Sequence, residues 1–71
     1  LLDRNPWLQE LNNREKDILQ LLARGHSNRE IATELHLAEQ TVKNYISIIY
    51  SKMGVRDRVQ AARIASQAGL G

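Results

Sequence analysis

Only His36, Leu37 and Ala38 stand between two stretches that both read as helix, and this brevity constrains the fold more than any other feature of the chain. The earlier stretch opens with Ser27 and Glu30. At S-x-x-E spacing, the hydroxyl and the carboxylate can each satisfy one orphan backbone N–H. It continues through Ile31, Ala32 and Leu35. The later stretch runs from about Glu39 to Met53, carries Val42, Ile46, Ile49 and Met53 along one side, and stops at Gly54. So short a connection makes two helices cross sharply, the helix-turn-helix arrangement. The small Ala32 allows the close approach, with Ile31, Leu35, Leu37, Val42 and Ile46 meeting beneath it.

Two further helices complete the reading, and no segment shows the alternation of a strand. One begins at Asn12 or Asn13, either of which can cap it, with Glu15 in the first turn where the helix dipole favours an anion. Leu11, Ile18, Leu19, Leu22 and Ala23 are its apolar positions, and Gly25 its stop. The other opens with a box of Asp57 and Gln60 and ends before Gly69. The expected fold class is therefore all-α, a four-helix bundle containing a helix-turn-helix. Residues 1–10 hold Pro6 and no sustained period, so they read as a linker or N-terminal arm, with Trp7 packing on the domain edge. Residues 11–71 form the domain.

A chain of 71 residues supports one modest core and no deep cleft between domains. It has no cysteine, which removes disulfides and thiolate metal sites and fits a reducing cytoplasm. No apolar run is long enough to span a bilayer, so no membrane role is expected. A start at leucine reads as a fragment of a longer protein. The net charge of +2 says less than its distribution. Residues 1–39 carry five basic and seven acidic side chains, whereas residues 40–71 carry Lys43, Lys52, Arg56, Arg58 and Arg63 against Asp57 alone. Such asymmetry suits one face turned to a polyanion, although a solvated helix surface has the same composition.

The third helix makes the polyanion reading specific. Opposite its apolar side stand Gln40, Lys43, Asn44 and Ser47, at i, i+3, i+4 and i+7 on one face. Glutamine and asparagine can pair bidentately with adenine, and lysine reaches guanine O6 and N7. Serine is short enough to let the helix lie deep in a major groove. Any one of these residues is also an ordinary soluble side chain; four together behind a helix-turn-helix are not. Thr41 and Tyr45 flank the row with hydroxyls suited to phosphate, although the Tyr45 ring can equally pack on the domain with its hydroxyl wet. Lys52, Arg56 and Arg58 lie beyond as charges for phosphate neutralisation. Ser27, Asn28 and Arg29 add a helix N-terminus, itself favourable to phosphate.

The fourth helix carries two stripes. Ala61, Ile64, Ala65 and Ala68 are wholly apolar and belong to the core, with Leu70 closing the end. Val59, Ala62, Arg63 and Ser66 are too apolar for a solvated face and too small for a core, and suit a weak two-fold contact.

LNNRE, LLARGHSNREIA, LHLAEQTVKNYIS and KMGVRDRVQAA, in this order and spacing, resemble the C-terminal LuxR-type helix-turn-helix domain, nearest the NarL branch of two-component response regulators. The likeness covers Leu11 to about Leu70. It implies a DNA-binding domain of a bacterial transcription regulator that pairs as a homodimer on double-stranded DNA. It also implies an N-terminal receiver domain, allows contact with RNA polymerase, and calls for no cofactor. Carried over by position, base contacts fall on Lys43 and Asn44 with Gln40 and Ser47, and backbone contacts on Thr41, Tyr45, Lys52 and the Ser27–Asn28 pair. Asn12 replaces the usual threonine, and Tyr45 a frequent histidine. Ala38 replaces a capping serine, a loss of ~1 kcal/mol that Glu39 offsets in part through the dipole. His36 stands where glycine is common and is expected at positive φ.

An enzyme would need acids, bases or nucleophiles converging in a cleft. His26 and His36 lie in turns with no convincing carboxylate pair, and two histidines are too few for a metal. The serious rival is a helical protein-interaction module, but that needs an apolar groove, and the free face of the third helix is polar.

Overall fold

The computed structural model describes residues 5–70. Four α-helices follow a short 3-10 helix, Pro6–Glu10: α1 Asn13–Ala23, α2 Asn28–Leu35, α3 Glu39–Met53 and α4 Arg58–Gln67. No strand occurs among the described residues, so the all-α expectation holds.

Local chemistry accounts for where the helices begin. Asn12 caps α1 by accepting from the Glu15 N–H at 2.8 Å, and the Glu15 carboxylate accepts from the Asn12 N–H at 2.9 Å. This is a full capping box, with asparagine in the place of serine. Ser27 and Glu30 form the box expected for α2, at 3.1 and 2.7 Å. At α4 only half of the expected box forms: Asp57 accepts from the Gln60 N–H at 2.8 Å. Gln60 offers a neutral amide for the return bond, a weaker acceptor than the carboxylate that closes the other two boxes. α3 starts at Ala38 with no side-chain cap, as its sequence requires.

The four α-helices end alike. In each, an N–H just past the helix reaches back five residues: His26 to Leu21 O, Leu37 to Ala32 O, Val55 to Tyr50 O and Leu70 to Ala65 O, at 2.9–3.1 Å. The motif needs a left-handed residue before that N–H. At the end of α3 this is Gly54, at φ 73°, where the missing Cβ removes the steric penalty. At the end of α2 it is His36, at φ 58°, the only non-glycine residue at positive φ among those described. The strain expected of His36 is therefore present, inside the turn that sets the angle between α2 and α3.

α1 lies at the centre, packed against α3 and α4, while α2 packs mainly on α3. Ile18, Leu19 and Leu22 of α1 meet Ile31 of α2 and Val42 and Ile49 of α3, all 0–1% exposed. α4 adds Ala61 and Ala65, both fully buried, with Ile64, Ala68 and Leu70 partly buried against the same core. Its core stripe is thus the one expected. Val55, 7% exposed, is a core residue that periodicity missed, because it follows Gly54 outside any helix. Its signal was an apolar residue directly after a helix-ending glycine.

The segment read as an arm differs from expectation in part. Leu1–Arg4 lie outside the described residues. Pro6–Glu10, however, forms the 3-10 helix, packed on α3 with Trp7 only 8% exposed. Pro6 presets φ for the first turn, and burial of the indole holds the segment down.

Candidate nucleic-acid interface

The buried side of α3 is Val42, Ile46 and Ile49, and the opposite side carries Gln40, Lys43, Asn44 and Ser47, all exposed. The structure thus brings together the four residues expected to read bases. The Lys43 ammonium makes no hydrogen bond or ion pair with other described residues. Gln40 donates its side-chain N–H to Asn44 Oδ1 at 3.0 Å. That bond leaves the Gln40 carbonyl as an acceptor and the Asn44 amide N–H groups as donors, so the pair presents one of each outward. Ile48, 46% exposed, stands on the edge of this row and was not among the expected residues.

Thr41 and Tyr45 flank the row, both half-buried. Tyr45 packs partly buried against the core cluster. Ser27 Oγ is engaged as the cap of α2, yet its own hydrogen can still be donated. Arg29 and Arg56 are exposed, and no described residue bonds their guanidinium groups.

Two expected phosphate contacts, Lys52 and Arg58, are half-buried and also bond within the fold. Lys52 donates to Glu15 Oε1 and Oε2 at 2.9 and 3.2 Å and to the Glu10 carbonyl at 3.0 Å, which engages all three of its N–H bonds. Glu15 is 3% exposed, so a phosphate would have to take the ammonium from a buried carboxylate. Burial pushes the Glu15 carboxyl up; the Lys52 hydrogen bonds, the Asn12 N–H and the Lys52 charge together outweigh it and leave the group below its usual range. Nothing in the sequence pairs these residues, which lie 37 positions apart.

Arg58 is likewise held within the fold. It donates to Asn28 Oδ1 at 2.7 Å and to the His26 carbonyl, bridging the α1–α2 turn and the start of α4. Burial raises the nearby Tyr50 phenol, and the Arg58 charge pulls against that shift. His26 is half-buried, not a free surface residue, and its Nδ1–H donates to the Leu21 carbonyl at 3.1 Å. No group of three or more potential metal ligands gathers among the described residues. Nor is any described helix long and apolar enough to cross a membrane.

On α4, Val59 is 68% exposed, Arg63 and Ser66 are exposed and Ala62 is half-buried. These four share the side turned away from Ala61 and Ala65. Val59 and Arg63 border a shallow open groove with Asp57, Arg58 and Gln60.

Comparison with known proteins agrees with this geometry. The chain is 54% identical over 59 residues to the probable HTH-type transcriptional regulator GfsR of Streptomyces halstedii, covering 83% of this chain and 24% of that protein. It is 48% identical over 60 residues to the response regulator protein VraR of Staphylococcus aureus, covering 84% and 29%. It is 46% identical over 61 residues to the uncharacterized transcriptional regulatory protein YhcZ of Bacillus subtilis, covering 86% and 28%. The chain thus spans less than a third of the length of each of these relatives. The family described as bacterial regulatory proteins, luxR family, matches residues 9–65, and with four-fifths of its length inside that match the chain belongs to this family.

Proposed function

We propose that the chain is the DNA-binding part of a bacterial transcription regulator, laying α3 in the major groove with α2 braced across the backbone. The observation that carries this is the face of α3: Gln40, Lys43, Asn44 and Ser47, exposed together, with the Lys43 ammonium unengaged and one amide acceptor and donor outward. These are the groups that base edges select. Thr41, Tyr45, Arg29, Arg56 and the start of α2 at Ser27 and Asn28 supply phosphate contacts around that row. Lys52 and Arg58 serve the fold and stand behind the interface.

Pairing on DNA uses Val59, Ala62, Arg63 and Ser66 of α4, supported by the exposure of Val59 beside exposed Arg63 and Ser66, with Ala62 half-buried against the core at its edge. The patch is too small for a stable free dimer, so the domain pairs on paired half-sites. A receiver domain elsewhere in the full-length protein controls it, as the likeness to a response regulator supports, and the cytoplasm is its location. RNA polymerase is the partner through which a DNA-bound regulator would act.

Selection of bound sites from random duplex DNA tests the reading. A recurrent half-site, repeated at fixed spacing, is the expected result; recovery of unrelated sequences would sink it. Ala62→Arg tests the pairing face. The variant should fold and bind a single half-site normally but lose cooperative binding to two, and undiminished cooperativity would exclude this face.

A further inference from the structure

We infer that Arg58 is a positioning residue for DNA binding: it orients the Asn28 side-chain amide so that the amide, and not the guanidinium, meets a backbone phosphate. This rests on the DNA-binding reading above.

The argument starts from the chemistry of the pair. A guanidinium can only donate, so the end of the Asn28 amide facing Arg58 must be the carbonyl, and the 2.7 Å bond to Oδ1 agrees. An amide has its acceptor and donor on diverging arms. Holding Oδ1 to Arg58 therefore turns the Nδ2 hydrogens away from the guanidinium, and no described residue bonds them. Arg58 also donates to the His26 carbonyl, in the turn just before the Ser27 cap. One side chain thus fixes both the entry to α2 and the rotamer of its first residue. Beside that amide lie the backbone N–H groups of Asn28 and Arg29 at the first turn, and the Ser27 hydroxyl hydrogen. The carboxylate opposing an anion here is Glu30, which is held back on the Ser27 N–H at 2.7 Å. Because Arg58 opens α4, the same fork ties the proposed pairing helix to the edge of α2 that braces on the backbone.

A direct phosphate contact and a positioning role predict different salt behaviour. A cation on a phosphate releases a counterion, so its removal makes the dependence of binding on salt shallower by about one; a neutral amide contact does not. Lysine keeps the charge of arginine but lacks the rigid planar fork whose arms hold the Asn28 amide and the His26 carbonyl in fixed directions. The duplex recovered by selection is titrated at several salt concentrations with wild type, Arg58→Lys, Arg58→Gln, Asn28→Ala and the Arg58→Gln/Asn28→Ala double variant, each checked by thermal melting. Positioning predicts that both Arg58 variants and Asn28→Ala bind about 5–10-fold more weakly with unchanged salt slope. The double variant should then bind no more weakly than Asn28→Ala.

Asn28→Asp guards against loss of fold, since it strengthens the pair with Arg58 while replacing the outward donors by an acceptor. It should melt no lower than wild type and bind DNA more weakly than Asn28→Ala. Three results would overturn the assignment: Arg58→Lys binding like wild type while Arg58→Gln has the shallower slope, losses that add in the double variant, or full binding by Asn28→Asp. A wild-type protein that bound no duplex would overturn the DNA-binding reading, and this assignment with it.

Discussion

The outward face of α3 and its C-terminal end each carry one lysine, and the two are indistinguishable as residue types. Lys43 stands exposed on the donor row with its ammonium unengaged, whereas Lys52 is 30% exposed and closes a buried carboxylate against the N-terminus of α1. The difference lies in what each meets after packing. Lys43 follows Val42 in the chain but stands about 100° round the helix from it, away from the core, and is exposed. Lys52 leans over the place where α1 and the 3-10 helix converge, and finds there Glu15 and the Glu10 carbonyl. A positive charge near a DNA-reading face is therefore no measure of binding until its internal partners are known.

The largest effect that separates the two lies in stability. Lys52→Met would leave Glu15 charged and buried without its partner, and should destabilise the domain by roughly 2–3 kcal/mol, below the value for a fully enclosed pair because Lys52 is partly solvated. Urea denaturation measures this. A variant of unchanged stability whose DNA binding has a salt slope lower by one would return Lys52 to the interface.

The complementary substitution should do the reverse. Lys43→Ala is expected to change stability by no more than about 0.5 kcal/mol, while weakening binding to the selected site by about 1–2 kcal/mol and relaxing preference at one base pair. Equal losses on selected and random duplexes would assign Lys43 to phosphate.

A smaller effect sharpens the comparison through pH. The folded Glu15 carboxyl lies below its ordinary value of 4.5, so the stability it contributes is complete above that value and is lost as pH falls through the folded pKa. In Lys52→Met, burial is no longer outweighed, the folded pKa should rise, and protonation on acidification should recover part of the lost stability. Wild-type and variant stabilities should therefore begin to converge above pH 4.5, as the variant takes up its proton, and go on converging below it, as the wild type does. Parallel curves would mean that the pair is not coupled to folding.

The smallest expected effect concerns the uncapped start of α3, on which the free row stands. Ala38→Ser should add about 1 kcal/mol by supplying the missing cap. His36→Gly should add up to about 1 kcal/mol by relieving the left-handed histidine. Thermal melting checks both, and a loss in either would show that the turn depends on the native side chain.

How much was legible in the sequence depended on range. Asn12, Ser27 and Asp57 cap helices through groups three residues away, and Gly25, Gly54 and Gly69 end them within one turn. Val42, Ile46 and Ile49 alternate with Gln40, Lys43, Asn44 and Ser47 at the helical period, so the inward and outward sides of α3 were determined together. Even the strain at His36 follows from a helix stop that lacks glycine. These effects act over a few bonds, and the order of residues along the chain is enough to determine them. Tertiary structure alone decided which charges remain free. Glu15 meets Lys52 across 37 positions, Asn28 meets Arg58 across 30, and Trp7 turns an expected arm into a packed 3-10 helix. A carboxylate in a first helical turn has the same sequence signature whether it faces water or another helix, because its partner is chosen by how the helices cross and not by the residues beside it.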